Sequence, residues 1–386
     1  MVKVLQICAE MPPYPHGGIG TAVGDLAPEL TRCGIDLHVV GLYPNAELKR
    51  LGIPEFVETD GYRVTRLPKL KLGSNYRVNL LSNRLKLYRF IQKLYKNERF
   101  DLILCDDFDG FVPMGAPRGA KLIVRLNGSN FIYDAIMGGK ACKLLHWMEK
   151  RTLREADAWI GVSEFFLKET EARIAPRPEQ KRWVIPNPVD TTLFSPVDEG
   201  VMVKGRIFFH NSLGLRKGIY DLFDAFPGVV ASIPEAHLEI HGDRHNFAAV
   251  KAELLSRVPA SLWDRIRFHG RTERPQLPAE LGKAHVACYP SHLETFGIGP
   301  VEAMAMERLT IYSSEGPGPE VMVNGKEGLL CPPKNVATLT ETLIKALRMG
   351  HDERRKIGRL ARLKAVERFD RSVIAQKYCK LFDSMF

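Results

Sequence analysis

The sequence predicts an α/β protein of two doubly wound domains, and three observations predict it. Short runs rich in valine and isoleucine alternate with longer helical stretches, the arrangement of a parallel sheet covered by helices. The series breaks at a proline-rich stretch, Ile185-Pro186-Asn187-Pro188 through Pro196, and then begins again. At 386 residues the chain exceeds one ordinary hydrophobic core and suits two. The expected domains are residues 1–190 and 191–372.

In the first half, strands are expected at residues 2–9, 37–42, 102–105, 122–126, 159–162 and 183–185. In the second they are expected at 207–209, 238–241, 266–269, 286–289 and 309–313. No solenoid repeat or low-complexity tract interrupts them. Ligands of such sheets lie beyond the carboxyl ends of the strands, so the cleft between the two domains is the expected site.

Composition narrows the class. Apolar residues at 45% and charged ones at 26% are those of a soluble globular protein. The amino terminus lacks the layout of a signal peptide, and no later run is long enough to span a bilayer. The seven cysteines (Cys8, Cys33, Cys105, Cys142, Cys288, Cys331, Cys379) are scattered and never in a C-x-x-C pair. They are expected to be buried apolar residues of a reduced, cytoplasmic protein.

The net charge of +10 matters because of where it sits. Between Gly61 and Phe100 there are eleven bases, from Arg63 and Arg66 through Arg99, against the single acid Glu98. Leu70, Leu72, Tyr76, Leu80, Leu81 and Leu85 are interleaved with them. An anionic membrane surface or a lipid-linked acceptor suits this pattern, and so does a solvated basic helix face. No helix-turn-helix, zinc or RNA-sheet signature accompanies the charge, so nucleic acid is not expected.

The first chemical feature is His16-Gly17-Gly18-Ile19-Gly20, between the first strand and a helix over residues 21–31. Glycines there let backbone N–H groups approach a phosphate at a helix amino terminus, although a glycine turn needs no ligand. A dinucleotide dehydrogenase requires G-x-G-x-x-G and an acid closing the second strand. That strand instead runs out in Gly41, Leu42 and Tyr43.

The second feature runs from Tyr289-Pro290-Ser291-His292-Leu293-Glu294 to Glu302-Ala303-Met304-Ala305. Pro300 suits the first turn of a helix, which puts Glu294 in the loop above a strand and Glu302 in the first helical turn. The N–H groups of Thr295, Phe296 and Gly297 attract an anion. Two carboxylates beside an anion site need other partners, and sugar and ribose hydroxyls are such partners.

At these residues the chain resembles the retaining glycosyltransferases of family 4, whose signature E-x-F-G-x-x-x-x-E-A-M-A is matched from Glu294 to Ala305. Ala156-Asp157-Ala158-Trp159, Pro186-Asn187-Pro188, Lys217-Gly218, Gly316-Pro317-Gly318 and Gly328-Leu329-Leu330 resemble further landmarks of that family. The resemblance covers nearly the whole chain. It implies a GT-B fold, two Rossmann-like doubly wound domains facing across a cleft, with the last helix, 373–386, packing back on the first. The first domain is then the acceptor side and the second the nucleotide-sugar side.

The resemblance also assigns roles. Glu294 contacts donor-sugar hydroxyls, Glu302 the ribose and Lys217 the diphosphate, while Gly17 and Gly18 approach the diphosphate or acceptor from the first domain. The base lies near Gly242, Gly270 and Arg271. Two positions depart from the family pattern. Ser212 stands where an arginine is common, with Arg216 a nearby source of charge, and Asn127 stands where a histidine is common. An amide still bonds a hydroxyl but does not shuttle protons near neutral pH.

The implied reaction transfers a sugar with retention from a UDP- or GDP-sugar to a saccharide or lipid-linked saccharide, in cell-surface polysaccharide or glycolipid synthesis. The expected location is the cytoplasm, at the inner face of the membrane. No metal is expected, since Lys217, Arg216 and the loop amides can meet the charge on the departing phosphate. Three readings remain as alternatives: a soluble small-molecule acceptor, a catalytically silent sugar-nucleotide binder and a nicotinamide-dependent oxidoreductase.

Overall fold

The computed structural model describes residues 1–140 and 142–386. The chain forms two compact units, Met1–Pro188 with Arg371–Phe386, and Val189–Asp370. It passes from one to the other twice, after Pro188 and after Asp370.

The first unit begins β1 (Lys3–Ile7), α1 (Gly18–Arg32), β2 (Asp36–Tyr43), α2 (Asn45–Leu51), β3 (Phe56–Thr59), β4 (Tyr62–Pro68) and α3 (Tyr76–Glu98). It continues with β5 (Leu102–Asp106), β6 (Lys121–Leu126), α4 (Asn130–Met137), α5 (Lys143–Glu155), β7 (Ala158–Gly161), α6 (Glu164–Glu171) and β8 (Lys181–Val184). The sheet order is β3-β4-β2-β1-β5-β6-β7-β8, parallel except for the β3–β4 hairpin.

Alternation within the strands splits the core in two. Leu5, Ile7, Ile103 and Cys105 face a cluster with Leu87 and Ile91 of α3. Val4, Val39, Leu102 and Leu104 face the opposite cluster, with Val23, Leu26 and Leu30 of α1.

The second unit holds β9 (Arg206–His210), α7 (Ile219–Ser232), β10 (His237–His241), α8 (Phe247–Ser256), β11 (Ile266–Gly270), α9 (Leu277–Leu281) and β12 (Val286–Tyr289). Then come α10 (Ile298–Ala305), β13 (Thr310–Ser313), α11 (Gly318–Val321), β14 (Leu329–Cys331), α12 (Val336–Arg348) and α13 (His351–Phe369). Its sheet is wholly parallel, in the order β11-β10-β9-β12-β13-β14. The last helix, α14 (Arg371–Asp383), belongs to the first unit, where Ile374, Tyr378, Leu381 and Phe382 join the α1 cluster.

Three strands lie outside those expected from sequence: β3, β4 and β14. β4 alternates apolar Tyr62 and Val64 with Arg63 and Thr65 before Arg66 and Leu67, so its basic residues resemble the helix that follows. β14 has only three residues. The basic stretch is also less solvated than its charge suggests. Arg66 is buried and donates to the carbonyls of Pro54 and Pro12. Arg84 is buried, donates to the carbonyls of Asp109 and Gly110, and lies over the Phe111 ring. Among the described residues no helix is long and apolar enough to cross a membrane.

Candidate active site

Numbered from its own start, the second sheet has the order 3-2-1-4-5-6, and the order reverses between β9 and β12. Such a reversal is the usual ligand position in doubly wound sheets. The loop after β9 carries Lys217, and the loop after β12 carries Glu294.

Backbone bonds join these loops. The Arg216 carbonyl accepts from His292 N at 2.8 Å and from Leu293 N at 3.3 Å. Gly218 has φ of 69°, and a Cβ there would stand 1.9 Å from the Pro290 carbonyl oxygen. Only glycine lets the chain pass beneath Pro290 with that dihedral. As a result Lys217 Nζ donates to Glu294 Oε1 at 2.6 Å, and Ser291 Oγ donates to the same oxygen at 3.0 Å.

Glu294 is buried and Lys217 nearly so. Burial raises the Glu294 carboxyl, but Lys217 and Arg216 outweigh it and hold the group below the usual range. Burial lowers the Lys217 ammonium, and the Glu294 charge only partly offsets this. Arg216 therefore adds positive charge at the pair, whereas Ser212 is exposed, its N–H bonded to Asn211 Oδ1.

The loop ends at α10. Gly297, its N-cap, has φ of 89°, and a Cβ there would meet Tyr312 Oη at 2.3 Å. Tyr312 Oη donates to the Phe296 carbonyl at 3.0 Å, while Thr295 and Phe296 are buried. Glu302 is the fifth residue of α10, one turn beyond the first-turn position expected from sequence. It is buried and accepts from Arg274 Nη1 at 2.6 Å.

His210, at the end of β9, sits among these charges. Its imidazole is lowered first by burial and then by Arg274, Arg271 and Lys217, with Glu302 opposing. Arg274 and His210 join the candidate site, and sequence reasoning missed them because neither lies in the E-x7-E segment. Gly242 follows β10 and Gly270 ends β11; Gly242 N donates to Gly270 O at 2.8 Å, and exposed Arg271 comes next.

The first sheet reverses between β1 and β5. Here the structure corrects the glycine loop. The helix α1 starts at Gly18, not at residue 21, and the Glu10 carboxylate accepts from Gly17 N at 3.1 Å and Gly20 N at 2.7 Å. Gly17 thus lies beside a carboxylate that completes the helix amino terminus from within.

Asn127 is also engaged. Its Nδ2 donates to Asp106 Oδ1 at 2.5 Å, its Oδ1 accepts from Asn187 Nδ2 at 3.3 Å, and its backbone N donates to Asp107 Oδ1 at 2.8 Å. Arg125 closes the network on Asn187. Burial raises Asp106 to about 6 and, with the Glu149 charge added, Asp107 to about 8. Asp107-Phe108-Asp109 is an Asp-x-Asp triplet, so the expectation that the sequence holds no such motif is corrected. Its Asp107 side chain caps the turn at Asn127 and Gly128, and the Asp109 carbonyl accepts from Arg84.

Comparison with known proteins agrees with this architecture. Residues 16–193 match the family model described as Glycosyltransferase Family 4, and residues 202–364 match Glycosyl transferases group 1. The chain is 22% identical to glycogen synthase of Mycobacterium tuberculosis over 99% of its own length and 94% of that protein. It is 32% identical to phosphatidyl-myo-inositol mannosyltransferase of Mycobacterium leprae over 44% of each chain. Sucrose-phosphate synthase from Thermosynechococcus elongatus superimposes with a TM-score of 0.84 at 21% identity, covering 100% of this chain and 99% of that one. HepE of Anabaena, solved with UDP and glucose, gives 0.75 at 19% identity and covers all of both chains. The protein belongs to glycosyltransferase family 4 and has the GT-B fold.

Proposed function

We propose that the protein transfers a sugar, with retention and without a metal, from a UDP- or GDP-sugar to a saccharide or lipid-linked saccharide at an anionic membrane surface. The observation that carries the donor half is the Lys217–Glu294 ion pair at the switch point of the second sheet. Lys217 and Arg216 meet the charge that grows on the leaving diphosphate, and the amides of Thr295, Phe296 and Gly297 assist. Glu294 bonds sugar hydroxyls and Glu302, oriented by Arg274, bonds the ribose. The base lies against Gly242, Gly270 and Arg271. Asn127 acts as a positioning residue on the acceptor side. HepE, a structural neighbour solved with UDP and glucose, favours a uridine donor.

The membrane half rests on the segment before α3. Residues 69–78 are all exposed, among them Leu70, Leu72, Tyr76 and Val78 beside Lys69, Lys71 and Arg77. The loop is braced from behind. Leu70 N donates to Asn83 Oδ1 at 2.8 Å, Leu72 N donates to Asn79 Oδ1 at 2.6 Å, and Asn75 caps the helix. A rigid loop that presents apolar side chains among cations suits an anionic lipid interface.

The test is transfer in excess chelator from radiolabelled UDP- and GDP-sugars to a lipid extract and to soluble saccharides, with the product's anomeric configuration read by NMR. Transfer to lipid with retention supports the whole reading. Transfer to soluble saccharides alone removes the membrane half, and donor binding without transfer or hydrolysis leaves a silent binder.

A further inference from the structure

Three groups with metal-ligating atoms converge on the second sheet, away from the E-x7-E loop. Leu238 and Ile240 of β10 point into the hydrophobic core, so Glu239 and His241 point to the opposite face. The pairing of β10 with β11 shifts register between Ile240 and His241, so that His241 faces Gly270 and His269 is the extra residue. Such a bulge re-aims a side chain, and here it brings His269 beside Glu239. His269 Nε2 lies 2.5 Å from Glu239 Oε2.

His241 is buried, with its Nδ1 at 2.7 Å from Thr272 Oγ1, while its Nε2 is enclosed without a partner. Donation from Nδ1 to Thr272 leaves a bare lone pair on Nε2, the tautomer that metal-ligating histidines adopt when an oxygen fixes the other nitrogen.

We infer that Glu239, His241 and His269 form a binding site for one zinc-type divalent cation. One atom from each residue falls in a group spanning no more than 4.8 Å. Two imidazoles and a carboxylate are a ligand set for Zn2+, with a fourth position left to water on the side of exposed His269. The ion replaces the proton shared by His269 and Glu239. The two rings are stacked, 4.2 Å between centroids and 11° between planes, so binding requires His269 to turn out of the stack. Its position on the edge strand allows that turn. Arg267 Nη1, 3.3 Å from Glu239 Oε1, stays on the other carboxylate oxygen. The ion ties β10 to β11 immediately before Gly242 and Gly270. Its role is structural and takes no part in transfer.

The test uses the full chain, stripped with chelator and titrated with Zn2+ by calorimetry and with Co2+ by visible absorption. The expected result is one equivalent bound in the micromolar range or tighter, the Co2+ spectrum of a four-coordinate site, and a rise in melting temperature. His269→Ala and Glu239→Gln each weaken binding by about tenfold or more. His269→Ala, on the exposed side of the edge strand, leaves the metal-free melting temperature within a few degrees of the parent. No uptake by the parent overturns the inference, and so does unchanged affinity in both variants. The readout is metal binding, so failure of the proposed transfer reaction does not bear on it.

Discussion

Lys217 Nζ stands 2.6 Å from Glu294 Oε1, and beneath this contact the Arg216 carbonyl bonds the backbone of the loop that carries Glu294. The pair is thus set by two loops locked together, not by flexible side chains meeting across solvent. Removing one partner strands the other charge in a buried place. Lys217→Ala is expected to lower kcat about a hundredfold or more, as loss of one transition-state donor does. It should also lower stability by about 1–3 kcal/mol, because buried Glu294 then keeps only Arg216 and the Ser291 hydroxyl against its charge. Steady-state kinetics and urea denaturation check both.

Gly218→Ala tests the lock itself. The left-handed φ and the 1.9 Å approach to Pro290 give a methyl group nowhere to go. A stability loss of about 2 kcal/mol or more is expected, with kcat falling although no side chain of the pair is altered. Denaturation midpoints and turnover measured on the same preparation test this.

The network around Asn127 predicts a pH dependence. Asp107 is raised from the usual aspartate value to about 8 by burial and by Glu149. The folded state then binds its proton more tightly than the unfolded state. Its contribution to stability is complete below about pH 4 and is lost as pH rises towards 8. Asp107→Asn keeps an acceptor for the Asn127 and Gly128 amides but cannot ionise. Its stability relative to the parent should therefore grow by about 1 kcal/mol or more between about pH 5 and pH 8. Urea midpoints across that range decide it, and a constant difference means that Asp107 titrates normally.

The membrane segment makes a separable prediction. Leu72→Ser with Tyr76→Ser removes two exposed apolar side chains without touching Asn75, Asn79 or Asn83, which brace the loop. Binding to vesicles rich in anionic lipid should fall about tenfold, with the melting temperature held. Parent binding should weaken with added salt, because the cations Lys69, Lys71 and Arg77 share the attraction. Flotation assays at two ionic strengths read both effects.

What was legible in the sequence follows from what repeats in it. The buried parallel strands announce themselves because both faces are apolar, and Val286–Tyr289 or Leu102–Asp106 have no other plausible fate. β4 does not, since it carries Arg63 and Arg66, and the burial of Arg66 depends on the carbonyls of Pro54 and of the distant Pro12. Glu294 and Glu302 share a segment with recognisable spacing, but Arg274, the partner of Glu302, lies on a different loop and becomes visible only when β11 and β12 are placed. The glycine loop was legible as a helix start. That its amides are taken by Glu10 was not, because the acid precedes the loop by a stretch without periodic pattern.

Calorimetric titration of UDP and GDP in excess chelator tests whether the switch point between β9 and β12 holds the nucleotide sugar. The parent, Glu302→Ala and Lys217→Ala are compared. The account predicts metal-independent binding selective for one base, weakened about tenfold or more in each variant while the fold is kept. No binding of either nucleotide to the parent, or equal affinity in all three proteins, contradicts it.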